Sequence, residues 1–421
     1  MTIELTSLGG AGTVTGSKHM LQIDGKRILI DCGLFQGKKA LREQNWQPFP
    51  VDPKSIDAVI LTHAHLDHSG YLPRLVREGY KGSVFCSAST ADLCDILLRD
   101  SAYIAEKDAS YAKRKKFSKH GHPEPIYTIK DAENALKQIE AVPFDADQNL
   151  AGDITFRLRR AGHILGAASV EIRTQGKIIV FSGDLGRYDD PFMFDPAPVS
   201  KADYLIVEST YGDRTHPKID PMEALGEIIE RTVQRGGTVV IPSFAVGRAQ
   251  LIMYHIWMLK QEGRITTVPI FLDSPMAINA QDLLCGHMDD HRFDTKTCME
   301  SCAIATYTRE VAESKEITKS PMPKVIISAS GMATGGRVLH HIKSYAPDAR
   351  NTVLFAGYQA AGTRGARMLQ GVKKLRMFGH DVEIRAEVTK LPALSAHADC
   401  DELFRWLGGL IEPPAIKSVS I

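Results

Sequence analysis

Short apolar, β-branched runs recur along the chain, each ending in a polar or glycine-rich turn. They are RILIDCG (27–33), DAVILTHAH (57–65), KIIVFSGDLG (177–186), YLIVEST (204–210), TVVIPSFAVG (238–247), KVIISASGMATGG (324–336) and TVLFAGYQAAGT (352–363). Runs of this length, bounded by turn residues, predict buried strands. Between them, ADLCDILLRDSAYIAEKDASYAKRK (91–115) and AQLIMYHIWMLKQ (249–261) place apolar residues three and four apart, which predicts helices. Strands alternating with helices imply an α/β fold. In the first half, hairpin-like pairs such as HMLQIDGKRILIDCG and DITFRLRRAGHILGAASVEIRTQGKIIVFSGD follow one another with one helical region between them. That half is expected to form packed, largely antiparallel sheets with helices outside. Residues 209–351 read as regular β and α units, and so as a parallel-sheet domain inserted into the first. The expected division is 1–208, 209–351 and 352–421.

A chain of 421 residues exceeds what one hydrophobic core usually supports, and 43% hydrophobic with 24% charged residues is ordinary globular composition. No run approaches the roughly 20 apolar residues of a membrane helix, and MTIELTSLGGAG lacks the layout of a secretory signal, so a cytoplasmic protein off the membrane is expected. Seven cysteines at irregular spacing suit reduced thiols better than a disulfide framework. Cys298 and Cys302 can share a helix face, yet plain core or surface thiols are the expected reading over metal ligation. The net charge of +1 gives no overall footprint for nucleic acid. The local run Lys113, Arg114, Lys115, Lys116 and Lys119 is the one basic candidate, and such runs are ordinarily solvated helix faces.

The chemistry concentrates in ILTHAHLDHSGYLP (60–73), where His63, His65, Asp67 and His68 follow a buried strand directly. Imidazole and carboxylate are ligands that Zn²⁺ takes at about 2.0–2.2 Å. One such histidine would be unremarkable; four such groups on one turn point to a metal site. His163 in RRAGHILGAAS, Asp184 at the end of KIIVFSGD and His397 in ALSAHADCDELFRWL lie at other element ends. Seven candidate ligands exceed the roughly three that one catalytic zinc uses. Two metals are therefore implied, bridged by a carboxylate, roughly 3.5–4 Å apart and sharing an activated water, as in a hydrolase. His120 and His122 in SKHGHP read instead as an exposed loop.

HAHLDH with these companions resembles the metallo-β-lactamase superfamily, and the downstream segments resemble its β-CASP branch of RNA- and DNA-processing nucleases. Over nearly the whole chain, the resemblance implies an αββα sandwich carrying an inserted parallel-sheet β-CASP domain. It makes Asp31 the first motif, His63, His65, Asp67 and His68 the second, His163 the third and Asp184 the fourth. The branch motifs fall on Glu208 in YLIVEST and His397 in SAHAD. By that likeness His63, His65 and His163 hold one zinc, Asp67, His68 and His397 hold a second, and Asp184 bridges both. Asp31 and Glu208 then orient ligating imidazoles by accepting their free N–H groups. Asp67, Asp184, Glu208 and Asp31 are the carboxylates expected to serve catalysis.

Three strand, glycine-rich turn, helix units lie downstream: PSFAVGRAQ (242–250), SASGMATGGRVLHHI (328–342) and AGYQAAGTRGARM (356–368). Backbone N–H groups at such turns favour phosphate. Ser243, Ser330, Thr334 and Thr363 add hydroxyls, Gly331, Gly335 and Gly336 allow close approach, and Arg248, Arg337 and Arg364 add positive charge. Tyr211, Phe244 and Tyr358 are candidates to stack on bases, and His340 or His341 to touch substrate. The expected activity is hydrolysis of single-stranded RNA by a hydroxide bridging two Zn²⁺ ions, with DNA also within the chemistry. Arg367 stands where the eukaryotic pre-mRNA 3′-end cleavage endonuclease carries a histidine, which leaves the general acid open. Relatives commonly continue past the SAHAD motif with further elements, whereas the sequence ends at IEPPAIKSVSI, so an incomplete edge of the first domain is expected. A catalytically silent RNA-binding scaffold and a metallohydrolase of small esters, lactams or thioesters are the alternative readings. Endonuclease or 5′-3′ exonuclease mode, and monomer or homodimer, stay open at this point.

Overall fold

Along residues 154–160 the side chains of Ile154, Phe156 and Leu158 are buried while Thr155, Arg157 and Arg159 are half exposed. This period of two arises because successive side chains of a strand point to opposite faces. The computed structural model describes residues 2–115, 123–360, 362–391 and 394–409. His120 and His122, with Lys116 and Lys119 of the basic run, lie outside the described residues. Lys113 and Arg114 end the helix Ala88–Lys115 as exposed side chains, with the Arg114 guanidinium over the Tyr111 ring.

The described residues divide into two compact units, Met1–Arg214 with His397–Ile421, and Thr215–Ala396. The first holds two sheets. One runs in the order β1 (Ile3–Gly9), β2 (Lys18–Ile23), β3 (Lys26–Ile30), β4 (Ala58–Ile60), β5 (Ser83–Cys86) and β6 (Ile139–Ala141). The other comprises β7 (Gln148–Ala151), β8 (Ile154–Arg160), β9 (Ala168–Thr174), β10 (Lys177–Phe181) and β11 (Tyr204–Ile206), in the order β11-β10-β9-β8-β7. The second sheet is antiparallel except where β11 joins β10. In the first sheet only β1 to β3 pair antiparallel, and β3 to β6 are parallel. The expectation of largely antiparallel sheets is corrected here to mixed ones. Parallel neighbours need long crossovers; those from β3 to β4 and from β4 to β5 carry only short helices such as Lys39–Gln44 and Leu72–Arg77, and that from β5 to β6 carries the long helix Ala88–Lys115 with Ile129–Leu136.

Leu21, Ile23, Ile28, Ile30 and Ile60 of the first sheet meet Phe156, Leu158, Val170, Ile172 and Phe181 of the second in one buried cluster. The opposite parity of the first sheet, Leu29, Val59 and Val84, is equally buried, as are Leu72, Leu75, Leu93 and Leu98 of the flanking helices. Helix Cys400–Leu407 is anchored by Trp406, whose indole N–H donates to the Ala197 carbonyl at 2.9 Å.

The second unit contains β12 (Val239–Pro242), β13 (Ile270–Leu272), β14 (Ala305–Tyr307), β15 (Val325–Ser328), β16 (Thr352–Phe355), β17 (Lys374–Met377), β18 (His380–Glu383) and β19 (Glu387–Lys390). Six of them form a parallel sheet in the order β14-β13-β15-β12-β16-β19, and β17 with β18 makes a separate hairpin. Every residue of β12, β15 and β16 is buried, as expected of strands covered on both faces. The sequence reading returned the chain to the first domain at 352. Instead β16 pairs with β12 and then with β19, so this unit runs from Thr215 to Ala396. The hydrophobic run at 352 could not reveal which sheet it joins.

Phe156 is 1% exposed between the two sheets of the first unit. Phe156→Ala is expected to lower unfolding free energy by about 3–5 kcal/mol; a chemical-denaturation midpoint equal to that of the parent protein would contradict this packing.

Candidate metal centre

The side chains singled out in the first unit stand where strands of both sheets end. After β3 the backbone turns at Asp31, which holds φ +60°, and after β8 it turns at His163, with φ +55°. Left-handed backbone at a non-glycine residue costs energy and persists only where surroundings impose it. At Asp31 those surroundings are visible: its carboxylate accepts from the Thr62 N–H (2.8 Å), the Thr62 hydroxyl (3.1 Å) and the Ser17 hydroxyl (2.9 Å). It also lies 2.7 Å from His68 Nδ1. His68 is thereby fixed with Nε2 directed at Asp184 Oδ1, 3.3 Å away.

His63 Nε2 lies 3.1 Å from His65 Nδ1, and His163 Nε2 lies 3.2 Å from that same nitrogen. Asp184 Oδ2 is 3.4 Å from both His63 Nε2 and His163 Nε2. One ligand atom from each of His63, His65, His163 and Asp184 thus falls within 4.8 Å of all the others. Asp184, Glu208 and His397 form a second such group that shares Asp184 with the first. His397 is held between carboxylates, with Nδ1 3.2 Å from Glu208 Oε2 and 3.9 Å from Asp184 Oδ2. Among the described residues, Asp67 and His68 belong to neither four-way nor three-way group. His68 still reaches Asp184, and the Asp67 charge acts on His65 and His397.

Burial sets the protonation of this cluster as much as proximity does. It pushes His63 well down and His65 down, leaving neutral rings with a free lone pair. At His68 burial works the same way, but Asp184 and Asp31 outweigh it and hold the ring well above the ordinary histidine value. His397 follows that balance, with Glu208 and Asp184 overcoming burial and carrying it to about 9. Burial would raise Asp184, yet the imidazoles of His68, His63 and His397 keep it well below the usual carboxylate range. The carboxylates therefore demand positive charge, which protons on two imidazoles supply. A divalent cation satisfies the same demand, and neutral imidazoles with carboxylates are a donor set such ions take. The cluster fits divalent metal.

Two glycines allow the turns to pack. A Cβ on Gly33 would overlap the Asp67 carbonyl oxygen, and one on Gly186 would overlap the His163 backbone nitrogen. Sequence reading had no means of assigning Gly33, Gly186, Ser17 or Thr62, since each acts by touching a residue remote in sequence. Thr62 lies beside the histidine motif, which was the one available signal.

The residues expected to meet phosphate all fall in the second unit, on loops leaving the carboxyl ends of the adjacent strands β15, β12 and β16. Crevices outside such strand ends are where ligands of open α/β sheets bind. The loops touch: Gln359 Nε2 donates to the Gly331 carbonyl at 3.0 Å, and the Gly365 N–H donates to the Met332 carbonyl at 3.2 Å. Exposed Phe244 and Tyr358 stand on them. Ser330 and Thr334 hydroxyls bond each other at 2.9 Å, Gly335 has open space around it, and Gly336 caps helix Arg337–Tyr345 with φ +74°. Thr363 caps helix Arg364–Leu369, and Arg248 opens helix Arg248–Gln261. Ser243 is buried, its hydroxyl donating to the Phe244 carbonyl at 3.0 Å. His340 stacks on Phe378 with ring centroids 4.3 Å apart. Arg337 and His341 are both bound to buried Asp273, at 2.7 and 2.6 Å. Arg364 donates to the Thr334 carbonyl at 2.9 Å and ties two of the loops together.

Comparison with known proteins gives a consistent result. Residues 16–226 match the family described as metallo-beta-lactamase superfamily, and residues 249–368 match the Beta-Casp domain. The chain is 37% identical over 415 residues to a ribonuclease of Thermus thermophilus, covering 97% of this chain and 91% of that protein. It is 30% identical to an RNase J-like protein of Methanocaldococcus jannaschii, covering 96% and 89% respectively. With the transcription termination factor FttA of Methanosarcina mazei it shares 32% identity over 96% of this chain, which spans 64% of that longer protein. A crystal structure of a protein of unknown function from Enterococcus faecalis shares the fold at TM-score 0.55 and 14% identity, covering 98% of this chain and 92% of that one.

Gly33→Ala should keep the fold but displace the turn that carries Asp67 and His68. Titration with Zn²⁺ is expected to show affinity about 10- to 100-fold weaker, the usual range when the support of metal ligands is disturbed. Gly335→Ala, where nothing lies within 4 Å, is the matched control. Equal affinity in the two variants would rule out the role given to Gly33.

Proposed function

The chain belongs to the metallo-β-lactamase superfamily and to its β-CASP branch, and on that footing we propose that it is a two-zinc ribonuclease cleaving phosphodiester bonds of single-stranded RNA. The observation that carries the proposal is the shared carboxylate: Asp184 stands within 4.8 Å of the donor atoms of His63, His65 and His163 and equally of those of Glu208 and His397. One ion would be held by His63, His65, His163 and Asp184, and a second by Asp184, His68, His397 and Asp67. Bound together, such ions supply a water of lowered pKa and neutralise charge developing on phosphate oxygens.

The protein's own groups do the rest. Asp31 holds His68, and Glu208 holds His397, so that each ring keeps one direction. The loops after β12, β15 and β16 offer backbone N–H groups and the side chains of Ser330, Thr334, Thr363 and Arg248 to successive phosphates, with Phe244 and Tyr358 as platforms for bases. Arg367 is exposed on helix Arg364–Leu369 and adds charge, but a guanidinium does not release a proton at neutral pH. Relatives described as ribonuclease and as RNase J-like support RNA as the substrate class. No described helix is long and apolar enough to cross a membrane.

A non-catalytic scaffold of the same fold would have no need of a complete ligand set, and each of the seven ligand positions here is a histidine or aspartate. Incubation with RNA labelled at both ends tests the proposal and reports endonucleolytic or 5′-3′ mode by which product appears first. Cleavage should stop on chelation, return with Zn²⁺ and fall roughly 100-fold or more in Asp67→Ala, since losing a ligand costs at least as much as losing its support. Bound metal without cleavage would favour the scaffold instead.

A further inference from the structure

The second unit gathers three cysteines that the activity does not use. Cys298 and Cys302 lie one turn apart on helix Thr295–Ala303, and Cys285 sits in the last turn of helix Pro275–Gly286. The Cys285 sulfur is 2.6 Å from that of Cys298 and 3.6 Å from that of Cys302, and all three fall within 4.8 Å of one another. None is in a disulfide. The connecting segment is pinned independently, by His291 Nε2 against the Leu284 carbonyl at 3.0 Å and by Phe293 stacked on Tyr254 at 4.7 Å. The sulfurs are thus brought together by packing of the whole helical corner.

Three features favour a cation over a pairwise disulfide. A disulfide would consume two sulfurs and leave the third without a role, whereas an ion takes all three. The side-chain amide of Gln281 donates to Cys302 Sγ at 2.8 Å, as the supporting hydrogen bonds of metal-bound thiolates do. Cys298 is buried while Cys285 and Cys302 are half exposed, so ion and solvent can reach the sulfurs from one side. No carboxylate enters the group, and an all-sulfur set selects soft ions over magnesium, calcium or manganese.

We propose that Cys285, Cys298 and Cys302 form a thiolate site for one soft d¹⁰ cation, Zn²⁺ or Cu⁺, which cross-links the two helices. Sequence spacing had offered only Cys298 and Cys302; the third ligand comes from the neighbouring helix.

The test uses the purified full chain. Titrated with Cd²⁺, it should develop a thiolate-to-metal charge-transfer band whose final amplitude corresponds to one thiolate-bound ion per chain, whatever is taken up at the histidine and aspartate cluster, since imidazole or carboxylate ligands cannot produce it. The band should vanish in the Cys285→Ser, Cys298→Ser, Cys302→Ser triple variant. In case that variant fails to fold, alkylation of the native protein read by peptide mass spectrometry gives the second measurement. Added Zn²⁺, or Cu⁺ under reductant, should slow modification of these three thiols, and whichever ion protects identifies the occupant. Absence of the band together with unchanged alkylation under both ions would overturn the proposal. Recovery of a Cys285–Cys298 disulfide from protein purified without reductant would do so equally.

Discussion

Everything at the metal centre depends on how one carboxylate, Asp184, is compensated inside the protein. Removing a carboxylate from water is costly unless opposite charge or hydrogen-bond donors surround it. Here His63, His68, His163 and His397 approach it from three separate segments, at 3.4, 3.3, 3.4 and 3.9 Å. The imidazoles in turn are packed against one another, with ring centroids of His63 and His68 4.1 Å apart and those of His163 and His397 4.5 Å apart. Several of these rings cannot all be charged at such distances. The stable arrangement is a mixture of neutral and protonated rings around the carboxylates, which a divalent ion can enter by displacing protons.

That constraint explains the local backbone. Donor atoms from residues 31 to 397 can converge only if the segments carrying them turn sharply at the ends of their strands. Asp31 and His163 adopt left-handed conformations there, and Gly33 and Gly186 provide the missing Cβ that lets neighbouring turns touch. The strain is borne by the inter-sheet core beneath, where Ile30 and Ile60 meet Val170 and Phe181. A rigid sandwich thus holds a strained rim, which is a common division of labour in enzymes.

Much of this was legible in the sequence, and the exceptions share a cause. Strand cores such as Ile28–Ile30 and Val325–Ser328, the long helix Ala88–Lys115 and the histidine motif carry their signal locally, in periodicity or in residue type. Sheet membership is not local: nothing within TVLF says that it pairs with Val239 and Val240, and the domain boundary was misplaced accordingly. Arg337 and His341 looked available for substrate because Asp273, more than sixty residues earlier, is invisible as their partner. Cys285 escaped notice for the same reason, lying on a different helix from Cys298 and Cys302.

The proposed centre requires two ions sharing Asp184. Diffraction data collected just above and just below the zinc absorption edge, from crystals grown with Zn²⁺, address it most directly. Two anomalous peaks are predicted, one bounded by His63, His65 and His163 and the other by His68 and His397, each within coordination distance of Asp184. A single peak away from Asp184, or no peak among these residues, would contradict it.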